Sequence, residues 1–124
     1  MGVWQTVDDN EGDIRTEMEL YLTERGTLEA KVHHLYKPNA PITCRQCKGK
    51  KKNAKLIGMV IIWDLKDNGK KWCGGRIMDP ATGKDYKCFI EMINEDKLKV
   101  RGYVGIPAVG RTQYWYRKGT LADQ

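Results

Sequence analysis

Residues Asp13 to Thr23 read DIRTEMELYLT, and the spacing of their apolar side chains decides the fold class. Ile14, Met18, Leu20 and Leu22 fall on one parity, and Asp13, Arg15, Glu17 and Glu19 on the other. Side chains of an extended chain point alternately to opposite faces, so this pattern describes a strand with one buried and one solvated side. A helix would instead group apolar residues three and four apart. Glu24-Arg25-Gly26 supplies a tight turn, and Thr27 to Leu35 resumes the alternation, with Leu28, Ala30, Val32 and His34 against Glu29, Lys31 and His33.

The period of two recurs outward from this hairpin. It predicts strands at Val3–Val7, Leu56–Leu65, Lys71–Met78, Asp85–Ile93, Lys97–Ile106 and Arg111–Arg117. The connections 66–69, 79–84, 94–96 and 107–110 each contain the Gly, Pro, Asn or Asp that turns need. Short turns make sequence neighbours antiparallel. An eight-stranded meander exposes two edges unless it closes, so the expected fold is an all-β, antiparallel up-and-down barrel. Residues 1–124 form a single domain in this reading, with one long basic loop at 36–55. Leu56 to Trp63, the longest apolar run, reads as a strand buried on both faces and is too short to cross a membrane as a helix.

The net charge of +6 comes from 22 basic and 16 acidic residues. Six of the cations (Arg45, Lys48, Lys50, Lys51, Lys52 and Lys55) lie between Cys44 and Lys55, without an acid among them. Setting them aside leaves 16 against 16, so the excess belongs to one loop. Nucleic-acid domains spread basic residues along a helix or groove, and this distribution argues against such a partner.

The same loop contains Cys44-x-x-Cys47. Zinc requires four ligands, and the other two would come from Cys73 and Cys88 or from His33 and His34. Neither pair repeats the C-x-x-C spacing, and no metal or cofactor is expected. Cys73 and Cys88 fall a diagonal step apart on one hairpin, beyond disulfide reach unless a bulge at Gly74-Gly75 shifts the register. A catalytic dithiol would ordinarily sit at a helix N-terminus. Arg45 and Lys48 could still lower a thiol pKa, so redox chemistry stays open.

With the strands placed, the chain resembles a bacterial family, the domain of unknown function 2147. The motifs that carry the resemblance are Gly2-Val3-Trp4 with Asp8-Asp9, Cys44-x-x-Cys47-x-Gly49, Trp72-x-Gly74-Gly75, Asp79-Pro80-x-x-Gly83-Lys84-x-Tyr86, Lys99-Val100-Arg101-Gly102-Tyr103-x-Gly105 and Gly110-Arg111-Thr112-Gln113-x-Trp115-x-Arg117. They cover nearly the whole chain in order. The resemblance implies a lipocalin-like barrel in an exported, periplasmic or secreted bacterial protein, with no established activity. An exported setting in turn implies a structural Cys44–Cys47 disulfide. Cys73 and Cys88 are not part of the pattern. The G-x-W of the first strand and an arginine late in the last are also similar to the lipocalin closure device, with Trp4 and Arg117 (or Arg111) as the pair.

No nucleophile, phosphate-loop or H-E-x-x-H motif is present, and an enzyme is not expected. Adjacent histidines on a regular strand face opposite ways, and the parity of Val32 places His34 inward. Arg111, Gln113, Trp115 and Arg117 share one face and alternate with Thr112, Tyr114 and Tyr116. One of the two faces must point into the barrel, and if it is the first, an arginine and a glutamine enter the interior and need partners. A carboxylate-bearing ligand would supply them, as would an internal network with Tyr86, Tyr103 or Asp79. The leading expectation is therefore a binding protein for a small, largely apolar molecule with an acidic head group. Its candidate contacts are Arg111, Gln113, Arg101, Tyr103, Tyr86 and His34. Its walls are Ile14, Met18, Leu20, Leu28, Val32, Ile90, Met92, Val100 and Val104, with the 36–55 loop as rim or lid. The alternative is an envelope interaction module whose basic loop engages an acidic partner or surface.

Overall fold

A computed structural model describes residues 2–7, 14–36, 43–80, 82–106 and 108–119. Asp8 and Asp9 of the family motif lie outside them, as does the 37–42 part of the long connection. Within the described residues the strands are β1 (Gly2–Val7), β2 (Ile14–Leu22), β3 (Leu28–Leu35), β4 (Val60–Asp67), β5 (Trp72–Met78), β6 (Asp85–Asn94), β7 (Lys97–Tyr103) and β8 (Gly110–Arg117), with a 3-10 turn at Gly49–Lys51. Each pairs antiparallel with the next, and β8 returns to β1, closing an eight-stranded up-and-down barrel. Closure leaves no unpaired edge to template aggregation.

The barrel has two unlike ends. The start of β1, the end of β8 and the β2–β3, β4–β5 and β6–β7 turns gather at one end. The β1–β2, β3–β4, β5–β6 and β7–β8 connections gather at the other, here called the loop end. Trp4 of β1 pairs with Met18 of β2 and with Arg117 of β8 near the first end. Its indole is fully buried, and the Arg117 guanidinium lies over the ring, 4.5 Å from its centre. Arg117 is held there by its own polar contacts: Nε donates to the Glu95 carbonyl oxygen at 2.9 Å and lies 3.5 Å from an Asp96 carboxylate oxygen.

The interior is filled. Trp4, Ala30, Ile62, Leu65 and Cys88 have no accessible surface, and Val100, Ile90 and Trp115 retain 2 % or less. Side chains lining a roomy void would show surface to it, so the alternating inner face meets itself across the barrel, as side chains do at this strand number. Two of the expected walls lie elsewhere. Val104 is 61 % exposed because β7 ends at Tyr103 and the residue belongs to the turn that follows. Met92 is 57 % exposed because β5 begins at Trp72, opposite Ile90, leaving Met92 without a neighbour on that side.

Local irregularities decide several side-chain directions. Trp72 pairs with Ile90 but Gly75 with Cys88, so β5 carries one extra residue, a bulge that Gly74 accommodates at φ +81°. Even with this shift Cys73 and Cys88 remain free thiols. Burial pushes the Cys88 thiol pKa up to about 12, which makes it a small core side chain rather than a nucleophile.

The Trp4–Arg117 contact has a measurable share in stability. Arg117→Met keeps the aliphatic stem and is expected to lower unfolding free energy in urea by ~0.5–2 kcal/mol. Trp4→Ala empties the barrel end and is expected to cost ~3–5 kcal/mol. An unchanged midpoint for Arg117→Met would show that the guanidinium adds nothing to closure.

Candidate functional site

The loop end brings polar side chains onto the inner face. Val100 and Cys88 are buried inward, and they pair with Gln113 and Gly102 respectively; Gly102 in turn pairs with Arg111. Two-residue periodicity then places Tyr86, Arg111 and Gln113 on the inward-facing side of β6 and β8, with Tyr86 and Gln113 half-buried and Arg111 exposed at the mouth. Gly102 in the middle has no side chain, and a Cβ there would lie 3.1 Å from Ile77 Cγ2 and 3.9 Å from Tyr86 Cβ. Beside them on β1 and β2, the hydroxyls of Thr6 and Thr16 meet at 2.6 Å. Trp115 Nε1 donates to Gln113 Oε1 at 3.3 Å, which ties this polar arc to the top of the core.

Arg101 and Tyr103, expected beside Arg111, lie on the outer wall instead. They alternate with Val100 and Gly102, and Arg101 Nη1 donates to the outward Thr112 hydroxyl at 2.6 Å. The Tyr103 ring stands 6.3 Å from Phe89, itself covered by the Lys71 ammonium at 4.2 Å. His34 is also displaced. Glu17 pairs with His34 but Met18 with Val32, so His33 is an extra residue in β3. The bulge breaks parity, and both histidines are exposed on the outer wall.

Beside that bulge is a cluster that alternation alone does not reveal. Glu17 faces outward as expected, yet its side chain is only 3 % exposed. The Tyr36 hydroxyl donates to Glu17 Oε2, Gln5 Nε2 donates to the Tyr36 oxygen at 3.2 Å, and Lys118 Nζ lies 3.3 Å from the carboxylate. His33, His34, Tyr36, Lys118 and Glu17 line an open cleft of about 320 Å³. Burial alone would raise the Glu17 pKa, but the hydrogen bonds from Tyr36 and Lys118, with the charges of Lys118 and His34, outweigh it and hold the carboxyl below its ordinary value. The same contact with Glu17, aided by burial, raises the Tyr36 pKa. A second cleft, of about 530 Å³, lies among Asn94–Lys97 and Tyr116; neither lies inside the barrel.

The basic loop is a built element. Cys44 and Cys47 form a disulfide with a Cα separation of 5.4 Å. Both are buried in the hydrophobic cluster: Cys47 Sγ lies 3.7 Å from Met78 Sδ, and Cys44 Sγ 3.7 Å from the Pro80 carbonyl oxygen. A Cβ on Gly83 would fall 1.8 Å from the Gln46 carbonyl oxygen, so the loop rests directly on the β5–β6 turn. Backbone bonds from Cys44 N to Ala54 O and from Asn53 N to Cys44 O close it into a small hairpin. Lys51 reaches back to the wall, 4.3 Å over the Trp63 ring and 3.2 Å from the Val60 carbonyl oxygen. Trp63 follows inward Ile62 and faces out, so the described part of the loop clasps the outside of β4 rather than lying across the barrel axis. It also explains why the neighbours Ile61 and Ile62 are both buried. Arg45, Lys48, Lys50, Lys52 and Lys55 stay exposed.

The closed eight-stranded up-and-down topology and the stacked Trp4 define a lipocalin-like barrel. The chain belongs to the family described as "Uncharacterized protein conserved in bacteria (DUF2147)", whose model matches residues 2–117. Among solved structures it is similar to protein HP1028 from the human pathogen Helicobacter pylori, itself described as belonging to the lipocalin family. That match has a TM-score of 0.79 at 20 % identity and covers 98 % of this chain and 82 % of that one. Comparison with curated proteins finds no match. At this identity the likeness speaks for the fold.

Two outcomes follow for the outer wall. A carboxyl with a depressed folded-state pKa contributes stability that is present above its unfolded pKa and lost as pH falls through the folded one. Glu17→Gln is therefore expected to lower stability by ~1–3 kcal/mol at neutral pH, the share of a charged, buried hydrogen bond. The gap to wild type should close in acid, below the ordinary carboxylate range; a gap independent of pH would contradict the assignment. Reduction of Cys44–Cys47, whose closed loop is short, is expected to cost ~2 kcal/mol. It should also open Lys48–Lys55 to trypsin, read by mass spectrometry of the fragments; identical cleavage with and without reductant would show that the disulfide does not hold the loop.

Proposed function

We propose that this protein is an exported binding protein, not an enzyme, that holds a small molecule with an anionic head group at the loop end of the barrel. The observation that carries this reading is the inward polar arc of Tyr86, Arg111 and Gln113 around the bare backbone of Gly102, opposite the end stoppered by Trp4 and Arg117. A planar guanidinium offers paired donors to a carboxylate or phosphate, and an amide and a phenol beside it can fix orientation. The core beneath is already filled, so an apolar tail would rest along the rim rather than descend the axis. Membership of a family that resembles lipocalins supports small-molecule binding. The disulfide supports an oxidising, extracytoplasmic compartment, where such bonds persist.

Native mass spectrometry of gently purified protein, followed by titration with dodecanoate monitored by tryptophan fluorescence, tests the proposal. The expected result is a saturable one-to-one complex that Arg111→Ala weakens about tenfold or more, the share of one charged hydrogen bond. Arg101→Ala on the outer wall should leave it unchanged. Absence of saturable binding, or equal weakening by both substitutions, would overturn it.

A further inference from the structure

From the surface of the loop end we infer that this end docks onto an anionic lipid bilayer. The inference is independent of the ligand reading and narrows the acidic partner expected from the basic loop to a lipid surface. Its first support is an apolar tip. The β7–β8 turn exposes Val104, Ile106 and Val109 at 61 %, 61 % and 57 %. Val104 N to Val109 O, Val109 N to Ile106 O and Ile106 N to Val104 O bonds close the turn on itself, while these three aliphatic side chains face solvent. Three exposed aliphatics within one turn are costly in water and suit the boundary between headgroups and acyl chains.

The second support is charge at the same end. Arg45, Lys48, Lys50, Lys52 and Lys55 are exposed and form no ion pair with an acid among the described residues. Lys51 is not counted, since it is spent on Trp63 and the Val60 carbonyl. The disulfide and the docking on Gly83 hold these cations in place, so little side-loop order has to be gained on binding. The β5–β6 turn that carries the loop neighbours the β7–β8 turn, because β6 and β7 are paired. Asp8, Asp9, Glu11 and Asp13 also belong to a loop-end connection but lie outside the described residues. A short aliphatic turn with a cluster of ammonium and guanidinium groups at the same end of the barrel matches a bilayer interface, where apolar atoms pass the headgroups and the cations remain at the phosphates.

Co-sedimentation of the full chain with phosphatidylcholine vesicles, with and without phosphatidylglycerol, tests this. Binding is expected only to the anionic vesicles and should weaken with salt. Each juxtaposed cation is worth about fivefold in partitioning, so Lys48→Glu with Lys50→Glu and Lys52→Glu should lower it about 100-fold or more. Ile106→Ser with Val109→Ser should also lower it, while leaving binding to heparin, a soluble polyanion, unchanged. All five positions are exposed, and unchanged thermal melts would show that the variants fold. Equal binding to neutral and anionic vesicles would overturn the inference. So would an Ile106→Ser, Val109→Ser variant that binds anionic vesicles like wild type, which would assign the basic loop to a soluble acidic partner.

Discussion

The indole of Trp4 retains no surface for water, and the guanidinium of Arg117 lies over it. Because the two residues come from the first and last strands, one contact both joins the seam of the barrel and stoppers one of its ends. The rest of the interior is filled by side chains with almost no accessible surface. A barrel sealed at one end and solid within leaves two places for chemistry, the loop end and the outer wall. The polar side chains follow that division: Tyr86, Arg111 and Gln113 face inward at the loop end, and Glu17, Tyr36 and the two histidines line a cleft outside.

The 43–59 segment shows how a long connection becomes part of the fold. Its disulfide, Leu56 and Met59 are buried in the same hydrophobic cluster as the barrel. Lys51 is turned back onto Trp63, and the remaining cations are left on the outside of a braced hairpin. The net charge excess is thus presented on a braced support.

The strand order and most strand boundaries could be read from alternation and turn residues, because a period of two is a direct consequence of extended backbone. The exceptions are the apolar run from Leu56, where β4 begins only at Val60 and runs on to Asp67, and β7, which ends at Tyr103 and not at Ile106. The same periodicity put Arg111 and Gln113 on the face of Trp115 but left open whether that face or the one of Thr112, Tyr114 and Tyr116 turns inward; the pairing of Gln113 with buried Val100 decides it. Alternation fails where a residue is inserted. His33 is one extra residue in β3, and it turns His34 outward; the bulge has no glycine to announce it. Alternation also assigns a face without saying what covers it. Glu17 does point out of the barrel, but Tyr36 and Lys118 close over it, and those contacts join residues 19 and 101 positions away. Arg101 and Tyr103 drew attention through the motif that contains them, although their parity with Lys99 already placed them outside.

The central claim is that the interior is solid and that small molecules meet this protein at the loop end. Chemical-shift mapping by two-dimensional NMR during addition of dodecanoate addresses it most directly. The account predicts shifts concentrated at Thr6, Tyr86, Gly102, Arg111 and Gln113, with Ile62, Leu65, Ile90 and Val100 unmoved. Large, saturable shifts at those four core residues would mean that the barrel opens to enclose its ligand, and would contradict it.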